Sequence, residues 1–76
     1  MNLERTILTN LKGRHPGLMP TNSLWAEVSL DEPRANYTAF KAALGELEVK
    51  GQVLVLQGED REKAKITDAG IARLLE

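Results

Sequence analysis

Residues 44–53 read LGELEVKGQV, and this stretch decides the fold because a helix ends and a strand begins within it. Leu44 and Leu47 are spaced as on one face of a helix. Gly51 predicts the end of that helix, since glycine accommodates the backbone conformation that terminates helices. The β-branched and apolar run Val53–Leu56 follows, with the length and composition of a strand. The first prediction is therefore a helix that runs directly into a strand.

Upstream of residue 44, the apolar spacing extends this helix and predicts a second one before it. Tyr37 and Phe40 continue the apolar stripe, and Pro33 suits the first turn of the long helix. Thr21 is the predicted cap of the preceding helix, which we expect to run to about Leu30. Its predicted inward residues are Leu24, Trp25 and Val28. We expect Trp25 to be the largest piece of the core.

The amino-terminal segment predicts a further helix. Asn2 is its expected cap and Gly13 its expected end. The apolar residues of this helix fall on one face: Leu3, Ile7, Leu8 and Leu11. Leu18-Met19 is a short apolar link that could add one edge strand.

The carboxyl-terminal segment predicts a hairpin and a last helix. Gly58–Arg61 is a polar turn, and residues 63–66 alternate as a returning strand. Thr67 is the expected cap of a helix whose predicted buried side is Ile71, Leu74 and Leu75. The predicted fold class is α+β and mainly α, in a single domain of residues 1–76.

Composition excludes several ways of stabilising so small a chain. The 76 residues include no cysteine, so neither a disulfide nor a zinc-thiolate site is available. Hydrophobic residues make up 42% of the chain, and packing must supply its stability. The net charge of −1 provides no bulk attraction to nucleic acid, so any DNA contact requires a local face.

The chain shows no sign of export or membrane insertion. The longest uncharged stretch, residues 15–26, contains two prolines and is too short for a membrane span. The first residues lack the layout of a signal peptide. We therefore expect a cytoplasmic protein, by default bacterial, with no membrane partner.

Three motifs, in order along the chain, resemble the winged helix-turn-helix of MarR-type bacterial regulators. They are Trp25-Ala26-Glu27 on the second helix, the stretch at residues 44–53, and Asp60-Arg61 followed by Ile66-Thr67-Asp68-Ala69-Gly70. The resemblance implies three helices, a β-hairpin wing and a C-terminal helix. The segment after Ala26 is longer than the usual tight turn, and the chain has no room for the terminal helices that pair two MarR subunits. The resemblance therefore implies a DNA-binding fold without the MarR ligand pocket, and no small-molecule ligand or cofactor is expected.

The resemblance also implies which residues meet DNA. On the outward face of the third helix, expected in the major groove, these are Thr38, Ala42 and Gly45, flanked by Arg34 and Lys41. Arg61, Lys63 and Lys65 are the candidates on the wing. The alternative is an ordinary solvated surface, because the wing charges from residue 59 to residue 65 sum to zero.

Catalysis and metal binding are not expected. The only histidine, His15, has no nucleophile or acidic neighbour in sequence. Glu59, Asp60 and Glu62 lack the ligand spacing of a calcium loop, so no metal is assigned.

The expected function is sequence-specific binding of duplex DNA by a small transcriptional regulator, and the alternative is a protein-interaction adaptor. A contiguous positive face over Arg34, Lys41, Lys63 and Lys65 favours DNA, whereas a neutral apolar patch favours a protein partner. A homodimer is also expected, because two half-sites increase specificity. Apolar residues available for it near the chain ends are Ile7, Leu8, Leu11, Ile71, Leu74 and Leu75.

Overall fold

A computed structural model describes residues 2–76 of the protein as an α+β, mainly helical fold. In chain order its elements are α1 (Leu3–Lys12), β1 (Met19–Pro20), α2 (Thr21–Asp31), α3 (Tyr37–Val49), β2 (Val53–Gln57), β3 (Glu62–Ile66) and α4 (Asp68–Leu74). The three strands form one antiparallel sheet in the order β1-β3-β2. No helix within residues 2–76 is both long enough and apolar enough to cross a membrane.

Local hydrogen bonds explain where most helices begin and end. The side chains of Asn2, Asn36 and Thr67 each accept a hydrogen bond from the backbone N–H three residues later. These contacts confirm the predicted caps of α1 and α4. Gly51 follows α3 with a φ of +75°, a left-handed conformation that favours glycine, so the predicted helix end is also confirmed.

Two predictions at the starts of helices are wrong. Pro33 does not lie in the first turn of α3, because the Asn36 side chain caps that helix and starts it at Tyr37. Thr21 does not cap α2, because its hydroxyl donates to β3 instead, at 3.2 Å to the Glu62 carbonyl oxygen. The preference of threonine for helix starts is overridden by a partner 41 residues away.

The core lies between the helices and the inner face of the sheet. Phe40, Leu44 and Leu47 are buried as the stripe on α3 predicted, whereas Tyr37 is 46% exposed. Trp25 is only partly buried and packs on the core, with ring centroids 5.2 Å from Phe40. Trp25 is therefore not the largest buried piece of the core; Phe40 is the largest fully buried side chain among residues 2–76.

The apolar residues near the chain ends are mostly used inside the fold. Ile7, Leu8 and Leu11 are completely buried, and Ile71 and Leu74 are partly buried against the same core. Only Leu75 is exposed, at 76%, because α4 ends before it. Its predicted burial is wrong, and the terminal helices offer little apolar surface for pairing two copies.

Candidate nucleic-acid interface

The outward side of α3 is formed by small residues. Thr38 and Ala42 are exposed, and Gly45 is partly exposed on the same side of the helix. A Cβ atom built on Gly45 meets no heavy atom within 4 Å. The helix backbone is therefore open to close approach along this face, as the predicted position in a groove requires.

Lys41 borders this face but is neutralised by an ion pair. Its Nζ lies 2.7 Å from Oε1 of Glu62 on β3, and the two side chains are 39% and 23% exposed. Because the pair is only partly solvated, the Lys41 charge is less available to an outside anion than sequence reasoning assumed.

The Glu62 carboxylate joins four elements at this point. It accepts hydrogen bonds from Thr21 of α2, from Lys41 of α3 and from Gln57 of β2, the last at 2.8 Å from Nε2. The hydrogen bond from Lys41 is the largest cause of the lowered pKa of Glu62, and those from Gln57 and Thr21 add to it. The contact fixes α3 relative to the β2–β3 hairpin.

The other predicted cations occupy separate places. Arg34 is exposed in the turn before α3, and Arg61 is exposed in the turn between β2 and β3. Lys63 lies on β3 opposite Leu56, on the side of the sheet away from the core. None of the three forms an ion pair within residues 2–76. The predicted cations therefore lie in three places. Arg34 lies in the turn before α3, Lys41 is paired with Glu62, and the other two lie on the β2–β3 hairpin.

The outer face of the sheet carries an apolar group that sequence reasoning missed. Leu54 and Leu56 are 40% and 42% exposed, beside Lys65 and Lys63 of β3. Val53 and Val55 alternate with the leucines and face the core. Because all four residues are apolar, the sequence shows no alternation; the polar residues of β3 were the signal that one face of the hairpin is exposed.

A second ion-pair cluster neutralises two more cations. Glu4 of α1 accepts from Arg73 of α4, 2.6 Å away, and from Lys50, 3.0 Å away. The hydrogen bond from Arg73 is the largest cause of the lowered pKa of Glu4, followed by that from Lys50. Exposed Glu46 and Glu48 further reduce positive charge along the second half of α3.

No group of three or more histidine or acidic side chains that could hold a metal ion is present in the part of the chain that the structure describes. In comparisons with known proteins, no family model, curated protein or solved structure matches this chain.

Proposed function

We propose that this protein is a winged-helix domain that binds duplex DNA and acts as a small sequence-specific transcriptional regulator. In this proposal α3 enters the major groove and the β2–β3 hairpin meets the flanking backbone. The observation that carries it is the open outward face of α3, where Thr38, Ala42 and Gly45 allow close approach of the backbone. The order of the helices and strands agrees with such a domain.

The distribution of charge implies weak binding by one copy. Arg34, Arg61 and Lys63 are free of ion pairs within residues 2–76 and are the proposed phosphate contacts. Ala42 and Gly45 offer no hydrogen bond to a base edge, so most of the affinity comes from the backbone. Such binding typically has a dissociation constant of ~10⁻⁴–10⁻⁶ M and weakens as salt rises.

A protein-interaction adaptor is the second candidate function. The exposed Leu54 and Leu56, together with the neutralised Lys41, favour it because they replace part of the expected positive face by an apolar one. The adaptor needs no contact between α3 and DNA, so the two functions predict different surfaces.

A duplex titration followed by backbone amide NMR tests the proposal. We expect amides of residues 34–45 to shift, and Arg34→Ala to weaken binding at low salt without changing the melting temperature by more than a few degrees. Lys12→Ala is the matched control, since it removes one exposed positive charge from α1. If residues 34–45 do not shift at low salt, the adaptor replaces the DNA-binding proposal.

A further inference from the structure

The face of the sheet that points away from the core is a row of lysines between two apolar rows. Lys63 and Lys65 lie on the central strand, β3. On β2, Leu56 lies opposite Lys63 and Leu54 opposite Lys65. On the other side, Pro20 of β1 lies opposite Lys63, and the residue two positions before it extends the same row. We call these residues the outer sheet face: Leu18, Pro20, Leu54, Leu56, Lys63 and Lys65.

The outer sheet face is open to solvent, and its cations are unpaired. Its three leucines are 40–42% exposed. Lys63 and Lys65 are partly exposed, and neither forms an ion pair within residues 2–76. Cross-strand neighbours lie ~5 Å apart at Cβ, so the lysine stems run beside the leucines while the ammonium groups stay in water. An anionic group that arrives from solvent therefore pairs with them without breaking an existing ion pair.

The dimensions of the outer sheet face fit one α-helix. Three strands span two strand spacings, ~10 Å, and a helix with its side chains is ~10–12 Å wide. Lys63 and Lys65 are two positions apart on an extended strand, which separates them by ~7 Å. Residues four apart on a helix are ~6 Å apart along its axis. A helix that lies along β3 therefore places two residues, at positions i and i+4, over the two lysines.

We propose that the outer sheet face binds an acidic amphipathic helix of a partner protein. This helix carries carboxylates at positions i and i+4, which pair with Lys63 and Lys65, and apolar residues on either side, which cover the apolar rows of β1 and β2. The sheet then has helices on both faces, a common layer arrangement. The proposal rests on the adaptor, the second candidate function, and shares only Lys63 with the proposed DNA contacts.

Charge and residue types favour this partner over three other occupants. Anionic membranes are bound by clusters of ~4–8 lysines and arginines, whereas the outer sheet face has two lysines and the chain a net charge of −1. Single-stranded nucleic acid is held by stacking on aromatic side chains, and the outer sheet face contains none. Stacking of two copies would bring four lysines together, which like charges oppose.

The size of the outer sheet face limits the affinity. One helix over three short strands buries less than the ~800 Å² per partner of a standard stable interface. The two ion pairs stay partly solvated, so they contribute more to specificity than to affinity. We therefore expect a dissociation constant between ~10 μM and ~1 mM.

Two synthetic peptides of about 15 residues, long enough for a helix in water, test the proposal on the whole chain. Both carry leucines on either side of positions i and i+4; the acidic peptide has glutamates at these positions and the basic peptide has lysines. In titrations followed by backbone amide NMR, we expect the acidic peptide to shift residues 54–56 and 63–65. The basic peptide should bind at least ~5-fold more weakly, because it meets like charges.

Variants separate the apolar and the charged parts of the outer sheet face. L54T/L56T should weaken binding of the acidic peptide, since threonine keeps the strand propensity but removes apolar surface. K63E/K65E should reverse the preference and bind the basic peptide more tightly. K12E/R14E is the matched control: it makes the same change in net charge at exposed positions in and after α1 and should keep the parent's preference. Circular dichroism melts show that each variant is folded.

The two peptides on the parent chain decide the matter even where a variant unfolds. No shift with the acidic peptide up to ~1 mM, or equal binding of both peptides, overturns the proposal. A preference that K12E/R14E reverses as K63E/K65E does also overturns it, because the effect is then one of net charge. Shifts at residues 54–56 with phosphatidylserine vesicles but not with the acidic peptide would assign the face to a membrane.

Failure of this proposal and failure of the functions above are distinguishable. Peptide shifts confined to α3 would overturn the proposal but leave an adaptor that uses another surface. DNA binding is tested separately, by the duplex titration and the amides of residues 34–45.

Discussion

Replacing Glu62 by glutamine is expected to strengthen duplex binding while it weakens the fold. Glu62 holds Lys41 at 2.7 Å beside the open face of α3. If α3 meets DNA, loss of the carboxylate frees Lys41 for a phosphate. Each added phosphate contact steepens the dependence of log K on log salt by ~0.9, which raises the affinity ~8-fold at about 0.1 M salt.

The same substitution removes one charge-assisted contact between α3 and β3. Lys41 is 39% exposed, and solvent screens the pair. We therefore expect the free energy of unfolding to fall by only about 1 kcal/mol, within the range of partly exposed ion pairs. The neutral side chain still accepts from Thr21 or Gln57 through its carbonyl oxygen, which limits the loss.

Fluorescence anisotropy with a labelled duplex, at several salt concentrations, measures both the affinity and its salt slope. Glu4→Gln is the matched control: it makes the same change in net charge but frees Lys50 and Arg73 at the contact of α1 with α4. A folded Glu62→Gln variant with the parent's affinity and slope refutes the reasoning that Lys41 lies against DNA. If both substitutions strengthen duplex binding equally, the effect comes from the change in net charge and not from a local contact of Lys41 with DNA.

Four further outcomes test the packing and the ion pairs. Gly45→Ala should stabilise the domain by ~0.5–1 kcal/mol in thermal melts, because the added methyl group meets open space in a helix interior; a destabilised variant would contradict the open face. Gly70→Ala should instead lower stability by roughly 1–3 kcal/mol, since a Cβ there clashes with the Gln52 carbonyl oxygen and comes within 2.7 Å of the Ile66 side chain. An unchanged melting temperature would contradict this, because it would show that these neighbours move aside at no cost. Phe40→Ala should leave the chain largely unfolded by circular dichroism, because truncating a buried phenylalanine costs roughly 3–5 kcal/mol, about what a core of this size supplies; a cooperative melt near that of the parent would count against its central place. The lowered pKa values of Glu4 and Glu62 contribute stability that is complete above the ordinary value of 4.5 and is lost as the pH falls through the lower folded values. In acid titrations of unfolding, Glu4→Gln and Glu62→Gln should therefore each lose less stability than the parent. Stability curves of variant and parent that run parallel with pH would refute this linkage.

The caps of α1 and α4 and the strand after α3 were predictable because their signals are local. Asn2 and Thr67 each bond a backbone group three residues away, so the cap and its partner lie in one short window of sequence. Gly51 is similarly local, since a left-handed residue after a helix depends on its own backbone. The apolar stripe through Phe40 predicted the buried side of α3 without knowledge of what covers it.

The candidate site was predictable only as a set of residue types. Thr38, Ala42 and Gly45 share the outward face that helical periodicity assigns to them. The charge beside that face was not predictable, because Lys41 meets Glu62 across 21 residues. A lysine on an exposed helix looks the same in sequence whether it is free or paired.

The sequence by itself determined the elements and their order, since periodicity, caps and turns act over a few neighbouring residues. The tertiary structure alone decided what those elements present to the outside. Thr21 donates to β3 and does not cap α2, and Glu62 forms an ion pair with Lys41. Pairing with β3 places Leu54 and Leu56 on the outer face of the sheet. Each of these depends on a partner brought close by folding, and such a partner leaves no mark on the local pattern of the chain.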